Sequence, residues 1–190
     1  MLDAAARIGL LQRARTAIAR AVGAESEERV TEPAHRSQAP VPDDFRAGAF
    51  VTLRVNGALR GCIGYPEPDR PLIETIERCA VSAAISDPRF PALSRAEWDA
   101  VELEISVLGP IEPVADISDV VVGQHGLIVQ YGHRRGLLLP QVATEWKWNA
   151  EELASQTCIK AGLPRDAWQK GGTLYRFEAD VFGETFIAGE

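Results

Sequence analysis

Cysteine is scarce in this chain, and what there is lies scattered. Cys62, Cys79 and Cys158 form no short-spaced pair, so there is neither a zinc-type Cys-x-x-Cys site nor a thioredoxin-like motif. Three separated thiols suit a reducing compartment, and the expected location is the cytoplasm. Lysine is equally scarce, at three of the 20 basic residues, and 27 acidic residues bring the formal net charge to -7. That balance disfavours nucleic acid as the main partner, because phosphate binding needs a concentrated basic surface. The tight cluster His133-Arg134-Arg135 reads as a solvated turn. No apolar run reaches the length of a signal core or membrane span, and Arg7, Arg13, Arg15 and Arg20 break up the Ala-rich N-terminus. A Walker motif, a dinucleotide fingerprint, a nucleophile elbow and a paired-histidine zinc helix are all missing. Their absence removes the common reaction classes without naming another, and no cofactor and no metal ligand is assigned.

What is there fits an ordinary globular chain. The 190 residues are 46% hydrophobic and 25% charged, enough for one large domain or two small lobes sharing a core. Asp3 is placed to cap a helix in which Ile8, Leu11, Ala14, Ile18 and Val22 recur at helical spacing, ending near Gly23. Residues 24–44 lose all periodicity and read as a long surface connection. Phe50–Val55 alternates as a strand, and Asn56-Gly57 is a strong hairpin turn. With a two-residue turn, Val55 faces Ala58, Leu53 faces Arg60 and Val51 faces Cys62. Arg60 and Cys62 would then point to the apolar side, and a one-residue slip would reverse this.

Asp69 is placed to cap a second helix with Leu72, Ile76, Cys79, Ala80 and Ala83 inward. Asp87-Pro88-Arg89-Phe90-Pro91 is a stiff connector, and Ser94 with Glu97 makes a capping box. Val101–Val107 alternates as a half-buried strand. A second hairpin pairs Leu127–Tyr131 with Gly136–Leu139. Pro140 opens a short helix expected to run through Gln141, Glu145 and Trp148. Asn149 caps another, which stops at Gly162, and Leu174–Val181 is a final strand. Paired hairpins with scattered helices predict an α+β fold with antiparallel sheets, not a parallel βαβ array.

The hexapeptide Leu59-Arg60-Gly61-Cys62-Ile63-Gly64 resembles the signature of the AMMECR domain family. DPRFPALSRAEW, VELEISVLGPIEPV, GQHGLIV, GLLLPQVATEW and CIKAGLP are similar to further family blocks, in the family order. The resemblance covers nearly the whole chain and implies a single AMMECR domain over 1–190. It implies two interleaved α+β lobes, each an antiparallel sheet with flanking helices. It also implies company with Memo-type and radical SAM proteins. No Memo-like domain and no radical SAM cysteine triplet occurs here, so the chain would be a stand-alone form. The resemblance brings no reaction and no catalytic residue.

Candidates for chemistry therefore come from the residues themselves. Cys62 lies between Gly61 and Gly64, where missing side chains allow a close approach by a ligand or by another backbone. Arg60, if near, would favour its thiolate. The alternative is a small buried hydrophobe in a packed sheet. His125, at a strand start, is the best-placed imidazole to serve that thiol, or else a histidine satisfied at a strand end. Glu104 sits mid-strand and is either a surface charge, an ion-pair partner for Arg60, or a general acid. Gln141, Glu145 and Trp148 would share one helix face, with Trp146 pointing elsewhere. That face would line a cleft or a partner groove, or would simply anchor the helix. Two functions compete: an enzyme or enzyme subunit with a small-molecule cleft around the Cys62 strand, and a non-catalytic docking module. A nucleic-acid-associated regulator is the third, set back by the net charge.

Overall fold

The computed structural model describes residues 2–24 and 41–184. Most of the expected connection over 24–44, and His35 with it, lies outside the described residues. The chain divides into two compact units: unit 1 comprises Met1–Val107 and Asp180–Glu190, and unit 2 comprises Leu108–Ala179. The fold is α+β with antiparallel strands and flanking helices, as the patterning implied.

In unit 1, helix α1 (Ala4–Ala21) starts at Asp3, whose side chain accepts the Ala6 N–H. Its stripe of Ala6, Leu10, Leu11, Ala14 and Ile18 is buried. Strands β1 (Ala49–Val55), β2 (Ala58–Tyr65) and β3 (Val101–Leu108) form an antiparallel sheet with β1 in the middle. Helix α2 (Leu72–Ile85) packs on this sheet through Leu72, Ile76, Cys79, Ala80 and Ala83. The residue before α2 is Pro71, which makes no side-chain cap, while Asp69 pairs with Arg70. The expectation that Asp69 caps this helix is therefore corrected. Proline at the boundary presets the backbone and has no N–H that would need a partner.

The core beneath α2 is drawn from alternate strand positions. Val51 and Leu53 of β1 and Ile105 of β3 are fully buried there. At 25 cal/mol per Å² each such side chain contributes on the order of 2 kcal/mol before entropy is counted. The other face of the sheet carries Phe50, Thr52, Arg54, Glu102, Glu104 and Ser106.

In unit 2 the pairing order is β4 (Glu112–Pro113), β7 (Thr173–Gly183), β5 (His125–Tyr131), β6 (Arg134–Leu138), all antiparallel. Strand β7 continues along the chain into unit 1. Helices α3 (Pro140–Glu145) and α4 (Ala150–Lys160) cover a core of Leu127, Val129, Leu153, Ala154 and Cys158. Asn149 caps α4 by accepting the Glu152 N–H at 2.8 Å, and Gly162 ends it in a left-handed conformation at φ 69°. Among the described residues no helix is long and apolar enough to cross a membrane.

Candidate functional site

The site in unit 1 is set by one irregularity in a hairpin. Asn56 and Gly57 adopt φ of 51° and 78°, so the turn is the expected two-residue type, with Val55 opposite Ala58. The register then shifts at Leu53/Arg54: Arg54 faces Leu59, Leu53 faces Gly61, and Thr52 faces Cys62. Arg60 is the extra residue of a β-bulge. One inserted residue turns everything beyond it to the other face, so Cys62 sits with Thr52 and not with Val51. The placement of Cys62 on the apolar side, derived from an unbroken register, is overturned.

Gly61 takes the apolar side instead. A Cβ there would stand 2.1 Å from the Ala83 carbonyl oxygen of α2, so the helix rests directly on the strand backbone. Gly64 serves the opposite face, where a Cβ would lie 2.1 Å from the ring of Phe50. The two glycines that drew attention to the motif thus admit a helix on one side and an aromatic ring on the other.

Cys62, Thr52 and Glu104 form one row across β2, β1 and β3. The Thr52 hydroxyl donates to Cys62 Sγ at 3.3 Å. Cys62 is half-buried, whereas Cys79 and Cys158 are fully buried. Burial pushes the Cys79 thiol up to about 12 and raises that of Cys158 as well. Glu104 is half-buried in the same row.

Among the described residues of unit 1, strand β2 has no strand on its outer side, and at Cys62 a side-chain pair takes that place. The Cys62 N–H donates to Asp87 Oδ2 at 2.9 Å, and Arg89 Nη2 donates to the Cys62 carbonyl at 3.2 Å. Asp87 is 4% exposed. Its carboxylate also accepts the Arg89 backbone N–H at 3.1 Å, Nε at 3.0 Å and Nη2 at 2.7 Å. Arg89 foremost, and the Cys62 N–H after it, hold this carboxyl well below the usual carboxylate range, against the effect of burial.

Arg60 makes the reciprocal contact, from strand to connector. Its Nε and Nη2 reach Glu97 at 2.7 and 3.2 Å, and Nη1 and Nη2 reach the carbonyls of Pro91 and Ala92 at 2.8 and 3.3 Å. Its carboxylate partner is Glu97, not the Glu104 suggested from the sequence. Glu97 also accepts from the Ser94 N–H and hydroxyl, completing the expected capping box. Arg60 foremost, and then Ser94, lower its carboxyl to about 2. The Phe90 ring carries Arg60 at 6.0 Å and Arg89 at 5.5 Å.

His125 belongs to unit 2 and is 8% exposed. Its Nδ1 accepts the Val121 N–H at 3.0 Å, and its backbone N–H donates to the Val121 carbonyl at 2.9 Å. With Nδ1 accepting, the neutral ring carries its proton on Nε2. Cys62, Arg60 and Glu104 all belong to unit 1.

Gln141 and Glu145 share α3, but Trp148 does not join them. The helix ends at Glu145, and Lys147 turns the chain back at φ 56°. Its N–H bonds the Thr144 carbonyl, and that of Trp148 bonds Ala143, a Schellman closure. Trp148 instead stacks on Trp146, with centroids 6.0 Å apart and an interplanar angle of 16°. This corrects the separation of the two tryptophans. The signal was present: Asn149 caps α4, so a helix running through Trp148 would leave no connecting residue. Gln141 Oε1 is buried and finds no hydrogen-bond partner among the described residues.

Asp87, Arg89 and Thr52 are the site residues that sequence reasoning missed. Asp-Pro-Arg is a turn-forming sequence, and the Asp87–Arg89 hydrogen bond could have been read from it. The strand this turn would grip could not.

Residues 11–182 match the AMMECR1 family model. A protein of Methanothermobacter thermautotrophicus is 53% identical over 153 residues, covering 76% of this chain and 80% of its own length. One of Methanocaldococcus jannaschii is 46% identical, covering 76% and 77% respectively. The crystal structure of an uncharacterized protein from Pyrococcus horikoshii superimposes with a TM-score of 0.86 at 36% identity, over 100% of this chain and 96% of that one. The chain belongs to the AMMECR1 family.

Proposed function

We propose that this protein is an enzyme or enzyme subunit that acts on a small molecule or a modified residue at the sheet face carrying Cys62. One observation carries the proposal. Cys62 is the thiol not sealed in the core, it has a hydroxyl at its sulfur, and its strand is pinned at its outer edge by two charged side chains. Cysteines that do chemistry sit in partly exposed, electropositive surroundings, and inert ones are buried. In this reading Cys62 is the nucleophile and Thr52 orients it. Arg60, with Asp87 and Arg89, holds the strand in place. Phe50 offers an apolar wall, and Ser106, 1% exposed with an unpaired Oγ among the described residues, offers a polar group. Glu104, in the row of Cys62, remains a candidate for proton transfer. Three unpaired thiols fit a cytoplasmic setting.

The test replaces the gene in its native host with the Cys62→Ser and Cys62→Ala forms. The expected result is the metabolite profile of a deletion strain, with folded protein at normal levels. A wild-type profile from both variants contradicts the proposal.

A second reading, a docking module, is favoured by Trp146, which is 67% exposed and stacked on Trp148. The company implied by the family resemblance makes Memo-type and radical SAM proteins the partners to try. Trp146→Ala should weaken their co-purification if this reading is right, and leave it unchanged if not.

A further inference from the structure

Asp87 and Arg89 do more at Cys62 than fill an empty strand edge. A neutral turn could satisfy one N–H and one carbonyl. Here a buried carboxylate takes the N–H, and a guanidinium 54% exposed takes the carbonyl. Both charges therefore lie within a few ångströms of the residue that bears the thiol, with opposite sign.

We propose that Asp87 and Arg89 are a positioning pair for Cys62: together they fix its backbone, Arg89 favours the thiolate, and Asp87 limits that effect. The proposal rests on Cys62 being the working residue, and it specifies what tunes it.

The other charged and titratable groups around this thiol are accounted for by geometry. Arg60 is engaged by Glu97 and two carbonyls on the connector. On the sheet, Glu104 shares the row of Cys62, and Arg54 and Glu102 face each other one row further on. Cys79 lies on α2 with its sulfur bonded to the Ala49 carbonyl. Among the described residues, Asp87 and Arg89 are the charged side chains that bond Cys62 directly.

The experiment follows the rate of iodoacetamide alkylation of Cys62 against pH, read by peptide mass spectrometry on the full chain. A purely structural clamp would alter the plateau rate at high pH through exposure, and would move the midpoint in no preferred direction. A charge pair moves the midpoint with opposite signs in the two variants. Arg89→Ala should raise it and Asp87→Asn should lower it, each by about one pH unit, with Arg89→Lys returning close to wild type. Coincident profiles, or shifts of the same sign in both variants, overturn the proposal. Should Asp87→Asn not fold, Arg89→Ala against Arg89→Lys decides. A raised midpoint restored by lysine supports the pair, and equal midpoints sink it. Failure here leaves the role of Cys62 itself standing, because that role is read in the host and not in the titration.

Discussion

The backbone N–H of Cys62 ends on the carboxylate of Asp87, 2.9 Å away, and not on a neighbouring strand. An exposed strand edge is a hazard for pairing with other chains, and here a buried acid covers it. Asp87→Ala leaves that N–H and the Arg89 contacts unmet, at a cost of about 2 kcal/mol. The loss should appear in urea unfolding at pH 7.

The same carboxylate ties stability to pH. Its folded pKa lies below its unfolded value, which is about 3.9. The contribution is therefore fully present above that value and is lost as pH falls below it. The stability gap between wild type and Asp87→Ala should be constant from neutral pH down to about 5 and narrow on further acidification. A gap that widens instead would mean Asp87 is not held as the paired carboxylate.

Gly61→Ala tests the contact between strand and helix. The added methyl would meet the Ala83 carbonyl at 2.1 Å, and backbone on both sides leaves nothing flexible to yield. Overpacking of this kind costs about 3 kcal/mol. Denaturant unfolding should show a fall in midpoint at unchanged slope.

Lys147 occupies a left-handed position that glycine fills at the end of α4. Lys147→Gly removes a steric penalty of about 1 kcal/mol and should raise the melting temperature. A fall would mean that the entropy glycine adds to the unfolded chain outweighs the relief.

The sequence told most where one residue acts through its nearest neighbours. Asp3, Asn149 and the Ser94–Glu97 box cap what they were expected to cap, because a cap reaches only two or three residues along the chain. The hairpin turn at Asn56-Gly57 was equally plain. The face of Cys62 was not, because the bulge at Arg60 arises from contacts far along the chain. Arg60 reaches Glu97, and α2 demands a glycine against Ala83. Periodicity assumes an even register and has no means of showing where it breaks. The grip of Asp87 and Arg89 on β2 spans 25 and 27 residues, which puts it beyond any local pattern. Conversely, the helix through Trp148 failed on a local rule left unapplied, since the cap at Asn149 already required the preceding helix to stop.

Everything functional depends on a thiol that the solvent can reach while the other two stay sealed. Intact mass measured after brief iodoacetamide treatment of the native protein addresses this most directly. One adduct, mapped to Cys62, with Cys79 and Cys158 modified only after unfolding, is the predicted outcome. A native protein that takes up no label until it is denatured would reduce Cys62 to a packing residue and remove the proposed chemistry.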